Sequence, residues 1–497
     1  MKQYYFEDLL ISMYPSDLLH SFGINGKISG SIYAVGEMQG VLPVIHGPRG
    51  CGYHYRFSAR RRHYPYFNVI SSDLSEKEII YGGEEKLYQT VCDAYQRYHP
   101  KLILVIPTPA SDIIHDDLEI VAAKARKKGI PTVAAKSETF SHRDKNFSRK
   151  RLAEVSKQKP EQQKNIPFDT KGCGYTEALL AIIENIMEKQ DVQPRTVNIE
   201  TIAWGKHGRQ VIEEIKKTLR EVNVQVISYF PSDSYENIVQ MPAASLNIVR
   251  RIKWAKKMEE KFGTPFLAVN TAGKYQGLDG ICHFYHDIGE FLGISEEMDA
   301  LIADKKKKTS AAVCSFKKTF AKYHVILISR NLQSLPLMIK KYQDEFGFKI
   351  RCCCGIYTPK HREYLQIDDR VYENLVLRVR DTINQYTPQT KFIMNPSDEE
   401  LMNEVLYCQV AFGTDDPYYE KLGIPLIHSA EESMPLSFEA YVRSMGEVYE
   451  KVSCSKNKPD LLINALGFDR EDPLILDEKN IQAARKMWVE TWFQKGK

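Results

Sequence analysis

The chain is 497 residues long, more than one hydrophobic core normally fills and enough for about three domains. Hydrophobic residues make up 43% and charged residues 27%. The 68 basic and 64 acidic side chains nearly cancel to +4, too even a balance to argue for a nucleic-acid partner. Ten irregularly spaced cysteines do not read as a disulfide framework, so the thiols are expected in the core or on metal. Acidic residues interrupt positions 1–10, where a secretory signal needs an apolar core. No later run reaches the roughly 18 apolar residues of a membrane span, so a cytoplasmic chain is expected.

In chain order, residues 1–30 read as an N-terminal extension with few strand signals. A first α/β unit is expected over 31–195. Small and apolar residues over 30–40 suggest a helix, and 41–45 (V-L-P-V-I) a strand. Gly47, Pro48, Gly50 and Gly52 then forbid a regular helix and allow a tight bend, so Cys51 falls just past a strand end. In open α/β sheets that is where ligands collect. Helical spacing over 81–97, a buried strand over 101–106, a helix from Asp116 and Asp117 to Lys128 and a strand near 129–135 complete the pattern. Carboxylates at a helix start complement its dipole and accept backbone N–H bonds. Residues 141–170 are polar and basic and read as an exposed insertion. Cys173 lies between two glycines at the start of an apolar helix over 177–187.

A second unit is expected over 196–315, with strands at 196–200, 224–229 and 264–270 and a helix over 209–221. A third covers 316–450, with strands at 324–329 and 348–354, the latter ending in Cys352, Cys353 and Cys354. Neighbouring strand residues face opposite ways, so one or two of that triplet could point at one ion. Residues 451–497 form a C-terminal segment with a helix over 480–494. Lys305 to Lys308 read as a solvated face, and Cys92, Cys282, Cys314, Cys408 and Cys454 as structural thiols. Strands alternating with helices imply parallel sheets covered on both faces.

Three motifs stand in order: H-G-P-R-G-C (46–51), S-D-L-S-E-K-E-I-I-Y-G-G-E-E-K-L (72–87) and, after a strand, I-H-D-D-L (114–118). Together with L-N-I-V (246–249), M-E-E-K-F-G-T-P-F (258–266) and L-G-I-P-L-I-H-S (422–429), they make the chain resemble the nitrogenase component 1 family. That family includes the molybdenum-iron protein subunits, their cofactor-assembly homologues and related reductases. The resemblance spans nearly the whole chain. It implies an α/β fold of three doubly wound, Rossmann-like parallel-sheet domains around a central cavity.

It further implies an iron–sulfur cluster shared between two related subunits, and a separate ATP-dependent iron–sulfur protein that delivers electrons. Of the three cluster cysteines usual in this family only Cys51 is matched. Residues 25–31 and 107–110 hold none, so a four-iron cluster completed by a partner subunit fits better than an eight-iron one. Residues 250–257 lack the cysteine that anchors the nitrogenase cofactor, and His428 lies two positions from the expected histidine. The cavity candidates are therefore Cys173, Cys352, Cys353, Cys354, His428 and the loop 270–275. No G-x-x-x-x-G-K-[ST] is present, so no nucleotide is expected on this chain. Arg49, Arg56 and Arg60 to Arg62 would surround Cys51 with positive charge. The expected role is a subunit of a nitrogenase-like reductase, with an assembly scaffold or a structural partner subunit as alternatives.

Overall fold

A computed structural model describes residues 27–36, 38–53, 69–136, 172–200, 208–249, 252–269, 274–275, 277–329, 332, 334–356, 369–414, 419, 422, 424–427, 436–454 and 486. The insertion 141–170, His428 and, apart from residue 486, the segment 480–494 lie outside them.

In the first unit, α1 (Lys27–Val35) precedes β1 (Val41–His46). Then follow β2 (Ile70–Ser71), α2 (Glu76–Tyr81), α3 (Glu84–Tyr98), β3 (Leu102–Pro107), α4 (Pro109–Ile113), α5 (Leu118–Lys127), β4 (Thr132–Ala134) and α6 (Gly172–Asn185). The strands form one sheet in the order β2-β1-β3-β4, every neighbouring pair parallel. β3 is buried along its whole length, as a strand covered on both faces must be. Pro43 has no N–H for a ladder, and it sits where β1 has β3 alone as a neighbour, because β2 pairs only with Val44 and Ile45. Where one helix was expected over 81–97 there are two. Gly82 ends α2 at φ +94°, and Gly83 restarts the chain as the N-cap of α3.

The second unit runs β5 (Gln193–Glu200), α7 (Gly208–Arg220), β6 (Gln225–Phe230), α8 (Tyr235–Val239), β7 (Ala244–Val249), α9 (Ile252–Phe262), β8 (Phe266–Ala268), α10 (Gly277–Leu292) and α11 (Ser295–Phe320). Its parallel sheet repeats the first order, β6-β5-β7-β8. The α10–α11 pair had no counterpart in the sequence reading. Gly289 makes it close, since a Cβ there would come 2.7 Å from Cβ of Met298. Lys305 to Lys308 lie on α11, but Lys305 is drawn between Glu221 and Glu439 and Lys306 pairs with Asp279, so this run is only partly a solvated face.

The third unit comprises β9 (His324–Ser329), α12 (Ser334–Ile339) continuing into a π-helical turn (Lys340–Glu345), β10 (Lys349–Gly355), α13 (Asp369–Tyr386), β11 (Lys391–Met394), α14 (Asp398–Val405), β12 (Val410–Phe412), β13 (Leu426–Ile427) and α15 (Phe438–Cys454). Its sheet is β11-β10-β9-β12-β13, again all parallel, with the strand order reversing between β9 and β12. The carboxyl of Glu345 lies against Gly277, where a Cβ would come 2.2 Å from its carboxyl carbon.

The cores cross these units. One cluster joins Ile32, Ile45 and Leu104 to Ala178, Phe230, Trp254 and Met258. Another joins Val197, Ile248 and Phe284 to Leu327, Phe348 and Tyr441.

Candidate metal centre at the end of the first strand

The order of the first sheet reverses beside β1, and its carboxyl end carries H-G-P-R-G-C. His46 is completely buried. Its Nδ1 lies 2.9 Å from Ser72 Oγ and its Nε2 2.7 Å from Asp116 Oδ2. Ser72 Oγ also accepts from Gly47 N at 3.1 Å. The Asp116 carboxylate can only accept, so the ring hydrogen lies on Nε2, and in the neutral ring the Ser72 hydroxyl donates to Nδ1. Burial correspondingly pushes the His46 pKa below its usual value, against the opposing pull of Asp116.

Asp116 also accepts Gly83 N on both oxygens, at 2.9 and 3.1 Å. A Cβ at Gly83 would meet Asp116 Oδ2 at 2.5 Å, and one at Gly47 would meet Thr108 Oγ1 at 2.5 Å. Thr108 Oγ1 in turn donates to the His46 carbonyl at 2.7 Å and caps α4. All three motifs thus converge on one polar knot around His46. The sequence reading gave Asp116 and Asp117 a helix-start role only. Asp117 fills it, accepting from Ile120 N at 3.0 Å, while Asp116 turns inward to His46. The missed signal lay in the motifs themselves, a histidine, a serine and an aspartate separated by 26 and 70 positions.

Beyond the knot the chain makes a helical turn over 49–53, contrary to the expectation that its glycines and Pro48 forbid a helix: Pro48 stands just ahead of the turn, where a missing N–H is not needed, and its carbonyl accepts from Cys51 N. Cys51 sits on it half-buried, with its thiol against the first-unit core and its pKa raised by burial. It is therefore a protonated thiol until a cation displaces the proton. Among the described residues, a Cβ at Gly50 would meet nothing within 4 Å. Arg49 does not bear on the thiol, because it is exposed and paired with Asp73. Arg56 and Arg60 to Arg62 fall outside the described residues. Following the same edge, α2 buries none of its residues and turns Ile79, Ile80 and Tyr81 to solvent, the last two 72% and 81% exposed.

The remaining candidates are dispersed. Cys173 lies in the first turn of α6. Cys352, Cys353 and Cys354 are fully buried in β10. They alternate as strand geometry requires. Cys352 and Cys354 share one face, Sγ to Sγ 3.7 Å, in a core with Leu401 and Cys408, and Cys353 joins the opposite core. Burial raises the pKa of Cys353. The contact with Cys352, followed by burial, raises that of Cys354, and Cys408 is pushed up to about 12. Of the loop 270–275, Tyr275 donates to buried Asp287 at 2.6 Å, and Lys274 Nζ is 2.6 Å from both oxygens of the same carboxylate. Cys92 and Cys282 are half-buried and Cys314 exposed.

The family model of nitrogenase component 1 type oxidoreductases matches residues 27–156 and 168–450. The chain belongs to this family. Among nitrogenase component 1 relatives, it is 23% identical over 461 residues to the nitrogenase molybdenum-iron protein alpha chain of Methanothermobacter marburgensis, covering 86% of each chain. It is 25% identical to the nitrogenase iron-molybdenum cofactor biosynthesis protein NifE of Clostridium pasteurianum, covering 84% of this chain and 83% of that one. The solved structure of nitrogenase Cp1 at pH 6.5 superposes with a TM-score of 0.57 at 19% identity, over 86% of this chain and 89% of the other, and bears out the component 1 fold.

Component 1 proteins carry iron–sulfur clusters, which sets the test for this edge. Among the described residues no group of three or more His, Cys, Asp or Glu is placed to hold a metal. Cys51 is thus a single donor that fits a thiolate-ligated cluster only if further ligands come from elsewhere. No helix among the described residues is long and apolar enough to cross a membrane.

Proposed function

We propose that this chain is one subunit of a nitrogenase-like reductase complex. Cys51 donates one thiolate to an iron–sulfur cluster of the four-iron type at the interface with a second component 1-type subunit. An ATP-dependent iron–sulfur reductase docks at the same edge and supplies low-potential electrons for reduction of a substrate. The observation that carries the reading is the half-buried Cys51 on the turn that follows β1, one turn beyond the His46 knot. A lone thiolate with no further ligand grouped beside it among the described residues suits a ligand set completed across an interface. Exposed Ile79, Ile80 and Tyr81 suit contact with a protein.

The test is anaerobic co-purification with the second subunit, followed by iron and sulfide analysis and electron paramagnetic resonance. Cys51→Ala is expected to lose the interfacial iron while the subunits stay associated. Full iron in that complex would rule the assignment out.

A second reading is a scaffold on which a metallocofactor is assembled. It is favoured by the kinship with cofactor-biosynthesis proteins and by the absence of a cysteine in 250–257. A scaffold would pass its metal to an acceptor protein, whereas a reductase would keep it and turn over electrons.

A further inference from the structure

The second sheet holds a polar row that the metal edge does not use. Ser228 on β6, Asn198 on β5 and Asn247 on β7 are in register across three adjacent strands, and all three are fully buried. Their strand neighbours Val197, Ile199, Leu246 and Ile248 join the core on one face of the sheet. The row therefore points to the other face, toward the layer containing Trp254 and Met258.

The amide orientations are determined. Asn198 Nδ2 gives its two hydrogens to the Met241 carbonyl and to Asn247 Oδ1, each at 2.8 Å. Rotating either amide would bring like groups together. That leaves Asn198 Oδ1, Asn247 Nδ2 and Ser228 Oγ buried and without partners among the described residues. Such a deficit is strongly disfavoured. The ladder itself opens at this place. Val197 pairs with Val226 but Asn198 with Ser228, so β6 carries one extra residue, Ile227, just where the Asn198 and Ser228 side chains fail to meet.

We propose that this layer is a built-in hydration site. Water sits beside the bulge between β5 and β6, donating to Asn198 Oδ1 and exchanging a hydrogen bond with Ser228 Oγ. Buried waters serve such unmatched polar atoms, and Asn247 Nδ2 on the far side of Asn198 is left for a second water. The hydrated row then fixes the register of β6 against β5, because a slip by one residue would carry Ser228 to the opposite face.

A crystal structure of the full chain at a resolution that shows ordered water should reveal density within hydrogen-bond distance of Asn198 Oδ1 and Ser228 Oγ. Ser228→Ala removes one of that water's partners and should lower the urea midpoint and weaken or abolish the density. A dry gap in the native chain would overturn the proposal without any variant. A raised midpoint in Ser228→Ala would also overturn it, since removing a truly orphaned hydroxyl relieves a penalty.

Discussion

Glu345→Gln should separate two pH–stability curves that meet in acid. Glu345 ends the π-helical turn with its carboxyl against Gly277 of α10. Burial outweighs the attraction of Lys341, Lys340 and Lys317 and raises its pKa from 4.5 to about 7. A shift of roughly 2.5 units at about 1.4 kcal/mol per unit corresponds to about 3 kcal/mol. Because the folded pKa lies above the unfolded one, the native state holds the extra proton between the two values. The stabilisation is complete below about pH 4.5. It is lost as pH rises toward 7, and the curve is flat above. Glutamine stays neutral at every pH and keeps nearly the same shape. Wild type and variant should therefore match near pH 4.5, and the variant should be more stable by up to about 3 kcal/mol at pH 8. For units of this size each kcal/mol moves the melting midpoint by roughly 2–4 °C, which calorimetry at pH 5, 6, 7 and 8 resolves. A difference that stays constant across that range, or a variant that melts lower at pH 8, would refute the argument.

Asp116→Asn should cost about 3 kcal/mol in urea unfolding, because it breaks a buried partner of His46 and weakens the acceptor for Gly83 N. His46 itself predicts acid sensitivity. Its folded pKa is depressed, so as pH falls below about 6.5 the unfolded chain takes up a proton that the native chain refuses, and stability drops by at most about 1.4 kcal/mol per pH unit. His46→Gln should flatten that slope over pH 5–6.5 in paired denaturation curves. Gly83→Ala should lose about 1–3 kcal/mol in the same assay, since a Cβ meets Asp116 Oδ2 at 2.5 Å and Leu74 Cδ2 at 2.7 Å and Asp116 is tethered to His46. Lys261→Met should cost about 1 kcal/mol by urea titration, because Lys261 Nζ donates to the carbonyls of Ile183, Glu184 and Met187 at the end of α6.

What could be read in the sequence followed the range of the signal. Buried strands such as β3 are short, continuous apolar runs, and that local pattern alone locates them. The α2–α3 break was blurred because Gly82 and Gly83 are permissive rather than prohibitive, and the polar flanks continue a helical spacing. The α10–α11 hairpin escaped because its lysines read as surface, although Lys305 is held between two carboxylates at only 14% exposure. At the metal edge, glycine and proline chemistry placed Cys51 past the end of β1 but missed the helical turn over 49–53 on which it sits. The knot behind it was not legible, since Ser72 and Asp116 reach His46 only through the pairing of β1 with β2 and β3. The alternating faces of Cys352 to Cys354 were legible from strand geometry, whereas the depth of their burial depends on α14 packing over them.

The cores that ignore the boundaries between units bear on how this chain can be divided. The β5–β7 sheet lends one face, through Phe230 and Val249, to a core shared with α1 and α6, and the other, through Val197 and Ile248, to a core shared with β9 and β10. Cutting the chain on either side of the middle unit would strip an apolar wall from two pieces at once. Neither end is expected to survive as an autonomous fragment, and a cavity-forming substitution in the middle sheet is felt at both ends of the molecule.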